Sequence, residues 1–306
     1  MEILKLSAPC KDYIWGGNRL REEYGKVSDA DKIAESWELS CHKDGQSVIA
    51  NGKDKGKTLS EYVAENKNAL GTACGRFEYL KLIDAKDNLS VQVHPDNDYA
   101  MRVEGEYGKT EMWYIVDCEE GSQLIYGFDK EISREEFADR IKNNTLLEVT
   151  NNVPVHKGDV FFIESGTLHA IGKGILIAEI QQNSNTTYRV YDYGRVGKDG
   201  KPRELHIEKA IDVTELCPPK YDTKPQGKPV KIDGGEETLL RSCEYFDVHK
   251  IKVSGTVTLD ADEKSFMSVL VLDGSGKIGE LDAKKGDSFF VPAGYGRFTL
   301  TGNLEV

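Results

Sequence analysis

The 306-residue chain has no CxxC pair, no run of about 18 apolar residues and no basic stripe, and each absence removes a class of protein. Its six cysteines, Cys10, Cys41, Cys74, Cys118, Cys217 and Cys243, are scattered. They make neither a disulfide framework nor a thiolate metal site and read as reduced and mostly structural. The opening MEILKLSAPCKDYIWGG sets acid and base before its apolar residues and lacks the apolar core of a leader, so a cytoplasmic chain with no membrane partner is expected. Forty Lys and Arg against 52 Asp and Glu give a net charge of −12, which repels nucleic-acid and lipid phosphates; no nucleic acid and no obligate protein partner are implied. Helical signals are few: 58–71, 132–143 with Ser133 and Glu136 in a capping-box pattern, and 205–213.

What is abundant is glycine, 30 residues against an average near ~7%, and short β-branched or aromatic runs such as LSVQVH, EMWYIVD, DVFFIE, ILIAEIQ and TTYRVYD. The stretch GDVFFIESGTLHAIGKG at 158–174 returns without a gap as GDSFFVPAGYGRFTLTG at 286–302. The Gly-Asp pair and the two Phe recur, but His169 meets Arg297. A repeat of strands and turns in a chain long enough for two cores predicts a mostly β fold of two jelly-roll barrels, with a few short helices packed outside the first. The Pro-rich CPPKYDTKPQGKPVKIDGG reads as a semi-extended linker. The expected division is a site-bearing domain with helical insertions over 1–216, a linker over 217–231 and a supporting, metal-free barrel over 232–306.

In SVQVHPD, Gln92 and His94 stand two apart on a strand and share a face, with Val91 and Val93 on the other. A lone histidine of this kind is ordinarily solvated; buried beside an amide, it needs a partner, and a divalent metal serves both. Glu111 shares a face with Trp113 and Ile115, as either a surface acid or a ligand. His169, just past a Gly turn, completes a two-histidine, one-carboxylate set with Gln92 as a weaker fourth donor. Nitrogen and oxygen donors without thiolate suit zinc, and also manganese, iron or cobalt. His42, His156, His206 and His249 adjoin lysines or lie in helix and turn contexts and read as solvated. Lys109 lies on the face of Glu111, Arg189 shares a face with Thr187 and Tyr191, and Lys81 sits in YLKLIDA. Several cations at one pocket of an acidic chain point to an anionic ligand such as a sugar phosphate.

These residues, in this order, resemble the type I mannose-6-phosphate isomerases (phosphomannose isomerases) in their short bacterial form. The resembling motifs are IWGG at 14–17, AESWELS at 34–40, SVQVHPD at 90–96, GKTEMWYI at 108–115, SGTLHAIGKG at 165–174 and EIQQNSNTTYRVYDYGR at 179–195. The resemblance implies a cupin fold, one zinc ion per chain, and interconversion of mannose 6-phosphate and fructose 6-phosphate, so that the partner is a phosphorylated hexose. Carried over by motif, the zinc ligands fall on Gln92, His94, Glu111 and His169, the active-site arginine on Arg189 and the lysine before the glutamate on Lys109. Lys109 and Arg189 are thus the catalytic candidates, and both join Lys81 and Glu179 as substrate-binding candidates. Glu164 and Ser165 replace the usual Pro-Ala, a change expected to alter a turn. Asn185 stands where some longer members carry an acid, which leaves the base open between Glu179 and a metal-bound water. Two other classes fit in part: a non-catalytic sugar-phosphate-binding cupin, and an iron-dependent cupin oxygenase built on the same two-histidine, one-carboxylate set. Lys109 and Arg189 favour the isomerase over both.

Overall fold

Short β-branched and aromatic runs pair antiparallel throughout the computed structural model, which describes residues 1–73, 78–197 and 200–306. The fold is mostly β, with five short α-helices among the described residues. None of them is long and apolar enough to cross a membrane. Cys74 lies outside the described residues; the other five cysteines are free thiols.

Two compact units divide the chain, and they interleave in sequence: residues 1–12, 18–82 and 225–306 form one, residues 13–17 and 83–224 the other. The sequence placed a single division within 217–231. The chain does pass between units at 224 and 225, inside that stretch, but it also passes at 82 and 83. Nor is the Pro-rich stretch loose. Val160 N donates to Thr223 O at 3.1 Å and Lys224 Nζ to Asp159 Oδ1 at 2.6 Å, so its first half is held to the second unit.

In the first unit, Leu4–Ser7 pairs with Ser288–Val291, Leu4 opposite Phe290, which is why the N-terminal residues fold with the last eighty. With Met267–Leu270 and Val48–Ile49 these strands make a four-stranded sheet. A six-stranded sheet, ordered Val230–Ile232, Gly235–Ser242, Asp247–Ala261, Gly296–Glu305, Asp273–Ile278 and Leu281–Lys284, contributes Val253, Val257, Phe298 and Leu300 to the core that Phe289 and Val291 enter from the first sheet. This is sandwich packing.

In the second unit a five-stranded sheet runs in the order Thr150–Pro154, Gln123–Phe128, His169–Ala170, Val91–Val93, Tyr188–Tyr191. Period-two alternation sends Val91, Val93, Tyr188 and Val190 into an apolar cluster with Phe137, Leu146 and Ala210, on and beside the helices Arg134–Lys142 and Ile207–Val213. Gln92 and Arg189 therefore face the other way, into the unit. The strands Val160–Ile163, Glu111–Cys118 and Ile175–Gln182 pair in that order as a second layer.

Helices fall near their predicted places. Leu59–Glu65 carries a full capping box from Thr58 and Glu61 and passes through a 3-10 turn to Gly71, whereas Ser133 caps Arg134–Lys142 and Glu136 turns instead to Arg140. Unforeseen was Asn97–Val103, capped by Asp96, whose Oδ1 accepts from Tyr99 N at 2.8 Å.

The repeated Gly-Asp turn is built alike in both copies. Gly158 and Gly286 have φ of 94° and 89°, the left-handed region where side chains clash with their own backbone. Asp159 accepts from His156 N at 2.8 Å and Asp287 from Lys284 N at 3.0 Å, and each carboxylate is paired with a lysine, Lys224 or Lys5.

Candidate metal centre

Strand pairing in the five-stranded sheet sets Tyr126 opposite His169, His169 opposite Gln92, and Gln92 opposite Arg189. Neighbours in such a row are ~5 Å apart and point to one face. Glu111 enters from the second layer, and His94 follows the strand that carries Gln92. One ligand atom from each of His94, Glu111 and His169 lies within 4.8 Å of the others, and all three residues are buried. Among the described residues no other such group occurs.

Backbone carbonyls decide which imidazole nitrogens are available. His94 Nδ1 donates to Thr186 O at 2.9 Å and His169 Nδ1 to Thr167 O at 2.8 Å; a carbonyl only accepts, so both rings carry the proton on Nδ1. The Nε2 lone pairs face Glu111 Oε1 at 3.6 and 3.5 Å, too long for hydrogen bonds, and that buried oxygen has no donor among the described residues. Bonds of ~2.1 Å to one tetrahedral ion span about 3.4 Å edge to edge, so these separations fit a metal. Outer carbonyls that fix metal-binding imidazoles are the usual second layer of such sites. Gln92 presents Nε2 to His169 Nε2 at 3.5 Å and holds Ser90 Oγ with its oxygen at 3.3 Å; a half-turn of the amide would exchange the two.

Charges follow the same geometry. Lys109 Nζ is 2.6 Å from Glu111 Oε2, 3.2 Å from His94 Nε2 and 3.6 Å from Glu179 Oε1. Burial raises the Glu111 carboxyl, but Lys109, His94 and His169 together hold it well below the usual carboxylate range. Burial, then Lys109, brings His94 down to about 4, and burial lowers His169 as well. Neutral imidazoles beside a carboxylate are the protonation state a metal needs.

The remaining predicted residues have different surroundings. Glu179 lies opposite Trp113 and accepts from its Nε1 at 3.1 Å, so it shares Lys109 with Glu111. Arg189 sits in the row beside Gln92, its Nε donating to Ser90 Oγ at 3.2 Å. Lys81 belongs to the other unit, buried over the rings of Trp37 and Tyr79 and 3.9 Å from Glu35 Oε2. Of the histidines expected to be solvated, His42 is instead buried against Tyr79 at 5.5 Å between ring centroids, and His206 is half-buried, its Nδ1 accepting from Arg189 N at 3.2 Å. Arg297, the counterpart of His169, is exposed at the start of its strand.

Gly108 shows how closely the backbone is drawn in. Its N–H donates to Asn97 Oδ1 and Lys109 N to Pro95 O, both at 3.0 Å, and a Cβ at 108 would stand 2.4 Å from the carbonyl carbon of Asp96. Gly108→Ala should therefore displace Lys109 and Glu111 from His94, costing about 1–3 kcal/mol in a denaturant melt and weakening metal binding in a chelator competition. Unchanged values in both would show that the two segments are not coupled.

Two family models match the chain: phosphomannose isomerase type I, catalytic domain, over residues 3–124, and mannose-6-phosphate isomerase, cupin domain, over residues 235–306. The mannose-6-phosphate isomerase of Streptococcus mutans is 41% identical over 100% of this chain and 97% of its own length. One from Bacillus subtilis is 42% identical over 96% and 94%. The crystal structure of the mannose 6-phosphate isomerase from Bacillus subtilis superposes with a TM-score of 0.92 at 37% identity, covering 100% of this chain and 98% of that one.

Proposed function

The chain belongs to the type I phosphomannose isomerase family, and from that membership we propose that it interconverts mannose 6-phosphate and fructose 6-phosphate at the His94, Glu111 and His169 centre. The observation that carries the site assignment is the buried Glu111 Oε1, facing two imidazole lone pairs with no hydrogen of its own to accept. We assign the metal as zinc, one per chain, with Gln92 as fourth ligand; nitrogen and oxygen donors without thiolate support it. A cytoplasmic location is part of the same proposal, supported by the charge of phosphorylated hexoses, which keeps them from crossing bilayers.

Aldose–ketose isomerisation moves a proton between C2 and C1 through an enediol, and charge develops on O1 and O2. When bound, the metal supplies Lewis acidity to those oxygens. Lys109 stands in the same cluster, its ammonium held between Glu111 and Glu179, where it donates to a sugar oxygen during ring opening and isomerisation. Glu179 is fixed by Trp113 and offers a carboxylate to a substrate hydroxyl. Arg189, one strand beyond Gln92, brings a planar guanidinium to the phosphate or to developing charge.

A coupled assay starting from mannose 6-phosphate tests this. Fructose 6-phosphate should form, fall at least ~100-fold after chelation and return with zinc, a metal-dependent loss of about 3 kcal/mol in barrier lowering. Binding of the sugar phosphate without turnover in every arm would replace isomerisation with a binding role. Oxygen uptake with added iron would point to an oxygenase.

A further inference from the structure

Arg189 is gripped from a segment that no motif singled out. Its backbone N–H donates to His206 Nδ1 at 3.2 Å, its carbonyl accepts from His206 N at 2.8 Å, and its Nη1 donates to Glu204 O at 2.9 Å. Three of its contacts thus come from residues 204–206. That segment follows Arg203, whose Nε and Nη2 donate to Asp192 Oδ2 at 2.7 Å and Oδ1 at 2.6 Å. Asp192 is buried and lies three residues after Arg189, just past the end of the same strand. The forked pair therefore closes a loop, with Val196 and Pro202 bridged inside it, and fixes where Glu204 O stands.

Electrostatics alone does not account for Arg203. Asp192 is already neutralised by Arg195, whose Nη2 lies 2.5 Å from Oδ1, so Arg203 adds a surplus cation beside Arg189. Burial, then Arg203, lowers the Arg189 pKa, against the opposing pull of Asp192 and Glu204. The backbone is strained at the same place. Arg195 N donates to Asp192 O at 3.0 Å across a turn in which Tyr193 has φ of 56° and Gly194 φ of 67°, a left-handed pair that suits Gly but not Tyr. The Arg195 guanidinium lies 5.1 Å over the Tyr193 ring and helps to hold that turn. A strained turn and two arginines on one carboxylate beside a third arginine indicate that its position matters more than local stability.

We propose that Arg203, latched onto Asp192, is a positioning residue that aims the Arg189 guanidinium through the Glu204 carbonyl. This rests on Arg189 as the cation that meets the substrate. A misplacement of about 1 Å in such a group lowers rate by up to ~100-fold. Arg203→Ala should then lower kcat/KM about 10- to 100-fold while metal content stays at the wild-type level. Arg203→Lys, which keeps one hydrogen bond to Asp192, should recover part of that loss.

The deciding measurement is the cycle of Arg203→Ala, Arg189→Ala and the double variant, with melting midpoints recorded for each. If Arg203 acts through Arg189, its substitution costs nothing further once Arg189 is gone; a purely structural role would give independent losses. The Arg189 side-chain Nε–H signal, identified by its absence in Arg189→Lys, supplies a readout that needs no turnover. It should be protected in wild type and exchange faster in Arg203→Ala. Additive losses, wild-type kcat/KM in Arg203→Ala, or unchanged protection of that signal would each overturn the proposal. Wild-type protein that fails to isomerise mannose 6-phosphate would instead overturn the assigned reaction, leaving the exchange measurement to judge the latch.

Discussion

His169→Ala is expected to strip the protein of its metal and, with it, of isomerase activity. His169 is fully buried, its Nδ1 is committed to Thr167 O, and its Nε2 has Glu111 Oε1 and Gln92 as neighbours. Truncation removes a lone-pair donor that no nearby side chain replaces. Loss of outer partners alone weakens metal sites by ~10–100-fold, so removing the donor should exceed ~100-fold in a chelator competition. Alanine also leaves a gap against Trp113, whose ring lies 5.3 Å away edge to face, and that gap destabilises the fold by a few kcal/mol. Melting the metal-free proteins isolates this packing loss. His169→Gln, which fills more of the space, should recover stability more than metal affinity. The repeat provides the contrast: Arg297→Ala, at the aligned but exposed position, should change neither metal content nor rate. Wild-type metal affinity in His169→Ala would remove His169 from the centre.

Faces of strands were legible in the sequence because the period of two is local. Gln92 with His94, and Glu111 with Trp113, follow from spacing alone, and the capped helix at Thr58 from its Thr and Glu. Partners of strands were not legible. Nothing in LKLS announces pairing with SFFV near the other end, a register that only the folded chain shows. His206 looked solvated for the same reason. A helix start among polar residues hides a partner on a strand 17 residues earlier, and only the folded register shows Arg189 N donating to it. Likewise the packing of His42 against Tyr79 is a tertiary contact without a local pattern. The helix Asn97–Val103 did have a local signal, Asp96 before a run free of Gly and Pro.

Arg189→Ala should give the opposite signature to His169→Ala: metal retained, turnover lost. The guanidinium touches Ser90 Oγ and Glu204 O, and none of His94, Glu111 or His169 depends on it for a hydrogen bond. A forked guanidinium contributes two charge-assisted hydrogen bonds to an anion, together about 3–4 kcal/mol, so kcat/KM should fall ~10²–10³-fold. How the loss divides locates the bond. A contact made equally to bound substrate and transition state raises KM and leaves kcat, whereas one made to charge on the enediol oxygens lowers kcat. Lysine at 189 keeps the charge without the fork and should recover only part of either loss. Unphosphorylated mannose, assayed as a poor substrate, distinguishes the two roles further. If Arg189 grips the phosphate, its removal should matter little there; if it steadies the reacting oxygens, the loss should persist. Near-wild-type kcat/KM in Arg189→Ala would exclude it from both, and would take the positioning role of Arg203 with it.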